Sequence, residues 1–182
     1  MLIKFKNHSP KLGQNVFVAE GAKIIGEIEI GDESSIWFNC VLRADVNFIK
    51  IGKRTNIQDL STIHVWHREF DEKGKLKDAG FPTIIGDDVT IGHNCVIHAC
   101  VIKNRVLIGM NAVIMDNALI EEDSIVGAGS VVTKDKKFPP RSLILGNPAK
   151  FVRELNNEEV SFLKQSALNY VDFKNEFLKD LQ

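Results

Sequence analysis

Cysteine is scarce in this chain, and its number is odd. Only Cys40, Cys95 and Cys100 occur among 182 residues, so the sequence does not support a framework of paired disulfides. We interpret all three as small residues of the fold and expect the protein to be cytoplasmic. Met1–Ser9 contains lysines but no apolar stretch of the kind found in signal peptides, which agrees with that expectation.

An excess of charge of one sign and long apolar runs are also lacking. The 23 basic and 24 acidic residues give a net charge of −1, so nucleic acid and anionic membranes are not expected partners. No apolar run approaches the roughly 20 residues needed to cross a bilayer. The composition, 44% hydrophobic and 26% charged, is typical of a soluble globular protein.

What the sequence has in abundance is a six-residue repeat of branched apolar residues. Six is not a multiple of 3.6, so the pattern excludes an amphipathic helix and predicts a β-helix solenoid. We predict an all-β fold over residues 18–133, in which each repeat forms one strand and one turn, and three repeats form one coil. The runs are Val18, Ile24, Ile30, Ile36 and Leu42; Ile51, Ile57 and Ile63; Ile85, Ile91 and Ile97; and Ile102, Ile108, Ile114, Ile120, Val126 and Val132.

The repeat is interrupted at three places. Three extra residues follow Leu42, sixteen follow Ile63, and one residue is missing after Ile97. The longest interruption, residues 64–82, is charged and must leave the solenoid as an excursion loop. Loops that project from a rigid scaffold often carry function.

A helix is predicted after the solenoid. Asn156 or Asn157 can cap it, and acidic residues follow in its first turn. We therefore divide the chain into a β-helix domain over residues 1–155 and a helix over residues 156–182 that packs along the outside of the prism. The apolar stripe of this helix comprises Leu163, Ala167, Val171, Leu178 and Leu181, widened by Phe162, Phe173 and Phe177.

Two histidines occupy the same position of the repeat one coil apart. His64 follows Ile63 and His98 follows Ile97, so their backbones should stack about 5 Å apart. His93 lies roughly 16 Å from His98 along an extended face, too far to share a metal whose nitrogen bonds are about 2.1 Å long. A neighbouring copy can supply it. The spacing thus predicts a symmetric homotrimer with metals at its interfaces.

The motifs around these histidines resemble the γ-class carbonic anhydrase family of hexapeptide-repeat proteins. The resemblance covers nearly the whole chain and is most specific between Arg43 and His98. It implies a left-handed parallel β-helix, an exception to right-handed crossovers, and a homotrimer with one metal per interface. The motifs are Arg43-Ala44-Asp45, Ile51-Gly52, Asn56-Ile57-Gln58-Asp59, His64, Pro82-Thr83, Ile84-Ile85-Gly86, Thr90-Ile91-Gly92-His93, Ile97-His98-Ala99-Cys100, Ile108-Gly109-Met110, Val126-Gly127-Ala128-Gly129-Ser130 and Gly146-Asn147-Pro148-Ala149-Lys150.

The resemblance also implies a reaction and its residues. His64, His93 and His98 match the metal ligands, with His93 coming from the adjacent subunit. The implied enzyme is a zinc-dependent lyase that reversibly hydrates carbon dioxide to bicarbonate with a metal-bound hydroxide; Fe²⁺ and Co²⁺ suit three imidazoles equally. The remaining matches are Arg43, Asp45 and Asp59 at the interface beside the metal, Asn56 and Gln58 near the metal-bound solvent, and Tyr170 on the terminal helix.

One position departs from the family pattern. Val46 stands where active prototypes carry a glutamate directly after the Arg-x-Asp motif. Rapid hydration must export a proton in each cycle, and a histidine can accept and release one near neutral pH. We therefore predict that His67, in the excursion loop, shuttles the proton.

Three other functions stay open at this stage. An acyl-CoA-dependent acyltransferase of the same superfamily would need one histidine base and a pantetheine channel rather than three ligands. A metal-dependent thioesterase would use the same metal centre, and a metal-stabilised scaffold would bind metal without turnover. The combination of the Arg-x-Asp motif with three histidines argues against the acyltransferase.

Overall fold

The computed structural model describes residues 1–180 as a prism of stacked strands followed by one long helix. The first strands are β1 (Leu2–Ile3), β2 (Lys11–Leu12), β3 (Phe17–Val18), β4 (Lys23–Ile30), β5 (Ser35–Ile36), β6 (Val41–Ile51), β7 (Asn56–Ile57), β8 (Thr62–His64), β9 (Glu69–Phe70), β10 (Leu76–Asp78) and β11 (Thr83–Ile85). The others are β12 (Thr90–Ile91), β13 (Val96–His98), β14 (Val101–Ile102), β15 (Leu107–Ile108), β16 (Val113–Ile114), β17 (Leu119–Ile120), β18 (Ile125–Val126), β19 (Val131–Val132), β20 (Lys137–Phe138), β21 (Ser142–Gly146) and β22 (Ala149–Glu154), and the helix is α1 (Asn157–Asp180).

Three faces enclose the interior of a left-handed β-helix. One face is an eight-stranded sheet that runs from β3 to β22, parallel except for the final antiparallel strand. The other two faces share a twelve-stranded sheet, because β6 bends around a corner. Its first residues pair with β8, and its last residues pair with β11. The three extra residues after Leu42 lie within this bent strand.

The repeat residues form the core, as predicted. Every repeat residue from Ile24 to Val132 is buried, with at most 3% of its surface exposed. The repeat also continues beyond the predicted limits, because Phe138 and Ile144 keep the six-residue spacing and are buried, and Leu12 packs against the same core. The coils therefore extend past residues 18–133 at both ends.

Residues in the left-handed conformation turn the chain at the corners. This conformation is costly for most side chains, but here it points backbone amides at the neighbouring coil. The amide of Asn94 donates to the carbonyl of Asp59 (2.9 Å), and that of Asn117 donates to Ala99 (2.8 Å). Two corners matter below. The His93 corner contains the left-handed residues Asn39, Leu60, Asn94 and Asn111, and the His98 corner contains Ala99, Asn117 and Asp135.

The excursion loop leaves the prism after β8 and returns at β11, as predicted. It is more ordered than its charged sequence indicated, since β9 and β10 form an antiparallel hairpin within it. Val65, at its start, is 1% exposed and belongs to the core.

A reciprocal cap begins the terminal helix. The side-chain oxygen of Asn156 accepts from the amide of Glu159, and the carboxylate of Glu159 accepts from the amide of Asn156, both at 2.9 Å. Asn156 is therefore the capping residue, while Asn157 accepts a hydrogen bond from Arg141. No helix within residues 1–180 combines the length and apolar character needed to cross a membrane.

The predicted stripe of this helix is only partly correct. Leu163 and Ala167 are buried against the prism, and Phe177 contacts the rings of Phe17 and Trp37. Phe162, Phe173 and Phe177 are nevertheless 55%, 47% and 41% exposed, because they lie at the edge of the buried stripe rather than on it. Leu181 lies outside the described residues.

A fully buried lysine also fixes the helix to the prism. The side chain of Lys174 has no exposed surface, and its ammonium donates to Glu33 (2.7 Å) and Asn175 (2.8 Å). The hydrogen bond from Lys174, followed by one from Asn15, lowers the pKa of Glu33 below its ordinary value of 4.5. An ion pair therefore joins α1 to a corner of the prism.

Lys174→Met should lower the free energy of unfolding by roughly 1 to 3 kcal/mol, because it removes two hydrogen bonds from a charged donor. Urea denaturation measures this loss. Lys164→Met, at an exposed position of the same helix, is the matched control and should change stability by less than about 0.5 kcal/mol.

The loss should also depend on pH. A depressed carboxyl pKa contributes stability above the unfolded value of 4.5, and this contribution disappears as the pH falls through the lower folded value. The stability difference between wild type and Lys174→Met should therefore shrink below pH 4.5. A difference that stays constant down to pH 2 would show that Glu33 does not carry the effect.

Candidate metal centre

Two of the predicted ligands are stacked on consecutive coils at the His98 corner. His64 and His98 are direct partners in the pairing of β8 with β13, which confirms the predicted stacking. Their ring centroids are 5.2 Å apart, and Nδ1 of His64 lies 3.1 Å from Nε2 of His98. The coil register thus brings two imidazole nitrogens face to face.

Carboxylates hold the far side of each ring. Nε2 of His64 lies 3.0 Å from Asp45, which also binds the guanidinium of Arg43. Nδ1 of His98 lies 2.6 Å from Asp116. Burial lowers the pKa of His64 below its ordinary value of 6.5, against the hydrogen bond that the ring donates to Asp45, and this favours the neutral form that binds metals.

The spacing of the two nitrogens fits a tetrahedral metal ion. Two ligands bonded at about 2.1 Å to such an ion lie roughly 3.4 Å apart, close to the 3.1 Å found between His64 and His98. Each ring also has the carboxylate partner that metal-binding histidines usually have. Residues 1–180 of one chain do not bring three such ligands together, so within one chain this pair stands without a third histidine.

His93 supplies a second half-site at another corner. Its Nδ1 lies 2.7 Å from Asp59, whose other oxygen accepts from the amide of Phe38 (3.2 Å). Nε2, on the opposite side of the ring, is therefore the nitrogen left for a metal. Among the contacts of residues 1–180, Arg43 binds Asp45, and Asp59 is bound by His93 instead.

An exposed apolar face separates the two half-sites. It carries β8, β13, β16 and β19 and runs from the His93 corner to the His98 corner. Four large apolar side chains are exposed on this face and along its edges. They are Leu60 (58%), Val96 (42%), Met110 (51%) and Met115 (36%). We call this face, with these four side chains, the apolar face.

The predicted polar residues lie on the His93 side. The amide of Gln58 donates to Asn56 (3.1 Å), and Asn56 donates to Thr90 (3.0 Å). Gln58 lines a groove of ≈ 260 Å³ together with His93 and Ser166. The fold therefore brings Gln58 and Asn56 near His93, and the His64–His98 pair lies at the other corner.

Tyr170 belongs to the same side. Its ring packs edge-on against Trp37 at 5.5 Å. Burial and then the charge of Asp59 raise its pKa above the ordinary value of 10. Tyr170 is therefore close to Asp59, the carboxylate that holds His93.

The excursion loop covers the other half-site. Trp66 lies edge-on to His98 with ring centroids 6.4 Å apart and stacks on His67 at 5.0 Å. His67, Val46 and Asp45 line a cavity of ≈ 350 Å³. The structure thus brings His67 to a cavity shared with Asp45, the residue that holds the ring of His64.

Asn47 ties down both ends of this loop. Its buried amide donates to the carbonyls of Trp66 (3.0 Å) and Ala79 (2.8 Å). Gly80 adopts φ of +60°, and a Cβ there would overlap the carbonyl oxygen of His67. The bend in β6 and the excursion loop, two separate interruptions of the repeat, are therefore parts of one feature.

Three residues of the site were not predicted from the sequence. Asp116 contacts His98 from the next coil, but the pairing of Ile97 with Ile114 puts Met115 in the repeat position of His98, so counting repeats does not single out Asp116. Trp66 and Asn47 gave no signal either, because the conformation of the loop decides where they lie.

Known proteins with similar sequences were compared with the chain. The profile of the family described as Dynactin subunit 5 matches residues 12–175. The Gamma carbonic anhydrase 2, mitochondrial, of Arabidopsis thaliana is 42% identical over 94% of this chain, which spans 59% of that relative. The Carbonic anhydrase of Geobacillus kaustophilus is 39% identical over 100% of this chain and 93% of the relative.

A solved structure agrees with these relatives. The hexapeptide transferase family protein from Anaplasma phagocytophilum is 38% identical, with a TM-score of 0.88 over 97% of this chain and 98% of the other. Fold and site thus define a hexapeptide-repeat protein with paired histidines at its corners. The chain belongs to the family that this profile describes and, within the left-handed β-helix superfamily, to the gamma carbonic anhydrase-like proteins.

Gly80→Ala should displace the excursion loop, because its methyl group would overlap backbone. Gly74→Ala is the matched control: Gly74 also has positive φ (+76°), but a Cβ there meets nothing within 4 Å. Both variants carry the left-handed cost of about 1–2 kcal/mol, and only Gly80→Ala should speed proteolysis within residues 66–80. Equal cleavage rates for the two variants would contradict the role of Gly80 at the base of the loop.

Proposed function

We propose that this chain forms a homotrimer whose interfaces hold metal centres that catalyse the reversible hydration of carbon dioxide to bicarbonate. One observation carries the proposal: two histidine half-sites, each with its carboxylate, lie at the two edges of one exposed apolar face. The names of the relatives agree with this reaction.

Rotational symmetry would complete the site. If the His98 corner of one copy meets the His93 corner of the next, the contact is heterologous and three copies can close it into a ring. Contact between copies would also remove the apolar face from water. Assembly and completion of the metal site would then be one event.

His64 and His98 of one copy and His93 of the next would hold the metal. We favour zinc, and Fe²⁺ and Co²⁺ suit the same three imidazoles. Such a metal lowers the pKa of water towards about 7 and so supplies the nucleophile at neutral pH. Asp45, Asp59 and Asp116 keep the rings in place through their second nitrogens.

The chain's polar side chains would orient the reactants. The amide of Gln58, fixed by Asn56, offers hydrogen bonds beside His93, so it can align the attacking water or hold bicarbonate. Tyr170 lies near Asp59 and would be brought to the same interface. Arg43 binds Asp45 and would meet the partner's His93 corner at the junction.

His67 would move the proton to solvent. It shares a cavity with Asp45, and the Val46 side chain in this cavity offers no proton acceptor. We therefore assign proton export to His67, with Glu69 beyond it at 3.6 Å. All three cysteines are free and buried, which agrees with action in a reducing, cytoplasmic setting.

Mixing inactive subunits tests the shared site. His93→Ala and His98→Ala should each abolish carbon dioxide hydration, measured by stopped flow on metal-loaded protein. Trimers formed from an equal mixture of the two variants should regain about one quarter of wild-type activity, because about one junction in four joins an intact His64–His98 pair to an intact His93.

Lys137→Ala, at an exposed position of β20, serves as the control and should leave activity unchanged. No recovery in the mixture would contradict the interfacial site. Full metal occupancy without hydration by the wild type would contradict the proposed reaction and favour a thioesterase or a metal-stabilised scaffold, and hydrolysis of an acyl thioester would separate these two.

A further inference from the structure

Asp116 makes a contact that neither the motifs nor the relatives assign. It follows β16 at the His98 corner, one coil after His98, and its carboxylate oxygen lies 2.6 Å from Nδ1 of that ring. Only 18% of the Asp116 side chain and 28% of the His98 side chain are exposed. The contact is short, largely shielded from water and directed at one nitrogen.

This contact fixes which nitrogen of His98 carries hydrogen. A carboxylate only accepts hydrogen bonds, so Nδ1 must be the donor. Nε2 of the neutral ring is then without hydrogen, and it is the nitrogen that faces His64 at 3.1 Å. Asp45 acts in the same way on Nε2 of His64, so both rings turn a lone pair towards the space between them.

We propose that Asp116 is a positioning residue of the metal centre, which holds His98 in the Nδ1–H tautomer with Nε2 directed at the metal. The inference rests on the proposed function as far as the metal is concerned. The selection of the tautomer is a property of the chain itself and can be measured without metal.

Asp116 could instead serve only to stabilise the corner, but the neighbouring residues of the same corner already make a stabilising hydrogen bond between coils. There Asn117 donates to Asp135 at 2.8 Å, one coil apart, and neither residue hydrogen-bonds a histidine. Asp116 instead directs its carboxylate at a ligand ring. Asp135→Ala is therefore a matched control, since it removes the same charge from the same corner.

The first experiment is NMR of metal-free protein with ¹⁵N-labelled histidine. The wild type and Asp135→Ala should show His98 as the Nδ1–H tautomer, and Asp116→Ala should shift it towards Nε2–H. Asp116→Asn keeps an acceptor oxygen and should give an intermediate result. An unchanged His98 tautomer in Asp116→Ala would overturn the proposal.

The second experiment measures the affinity of the trimer for Co²⁺ by absorption, in competition with a chelator. Asp116→Ala should weaken binding about 10- to 100-fold, while Asp135→Ala and the sedimentation of both variants should match the wild type. Equal Co²⁺ affinity in wild type and Asp116→Ala would overturn the positioning role. Failure of the wild type to bind Co²⁺ would instead contradict the proposed metal centre. The NMR measurement of the His98 tautomer would then still show whether Asp116 orients this ring.

Discussion

Parallel stacking of coils in fixed register is the constraint on which the rest of the structure depends. Each coil satisfies its backbone groups with the next, so side chains in equivalent positions are superposed. The same register that stacks Ile63 under Ile97 stacks His64 under His98. At another corner it pairs Arg54 with Asp88 and Arg105 with Asp123. Core, corners and histidine pair are consequences of one repeat.

The rigidity of this scaffold keeps the candidate ligands of one chain in two separate places. The strands separate the His93 corner from the His98 corner by a full face, and a packed β-helix cannot fold that face to bring its edges together. The exposed side chains of Leu60, Val96 and Met110 on and beside the face are what a second copy would cover. The excursion loop lies outside this stack of coils, and Asn47 fixes its base.

Periodicity made much of the fold predictable from the sequence. Counting repeats across the excursion loop placed His64 under His98, whereas the same count puts Met115, not Asp116, in the position of His98 on the following coil. The predicted end of the repeat at residue 133 was too early, because Phe138 and Ile144 continue the six-residue spacing and are buried. Contacts outside the repeat gave no sequence signal: Lys174 reaches Glu33 across 141 positions, and Trp66 meets His98 through a loop conformation that no local pattern encodes.

The central claim is that corners of two copies share one metal. Anomalous diffraction from crystals of the Co²⁺-loaded protein tests it most directly. The account predicts one metal per chain, bonded to His64 and His98 of one copy and His93 of the next, with Val96 buried between the copies. A metal bound by residues of a single copy, or copies that meet through a different face, would contradict it.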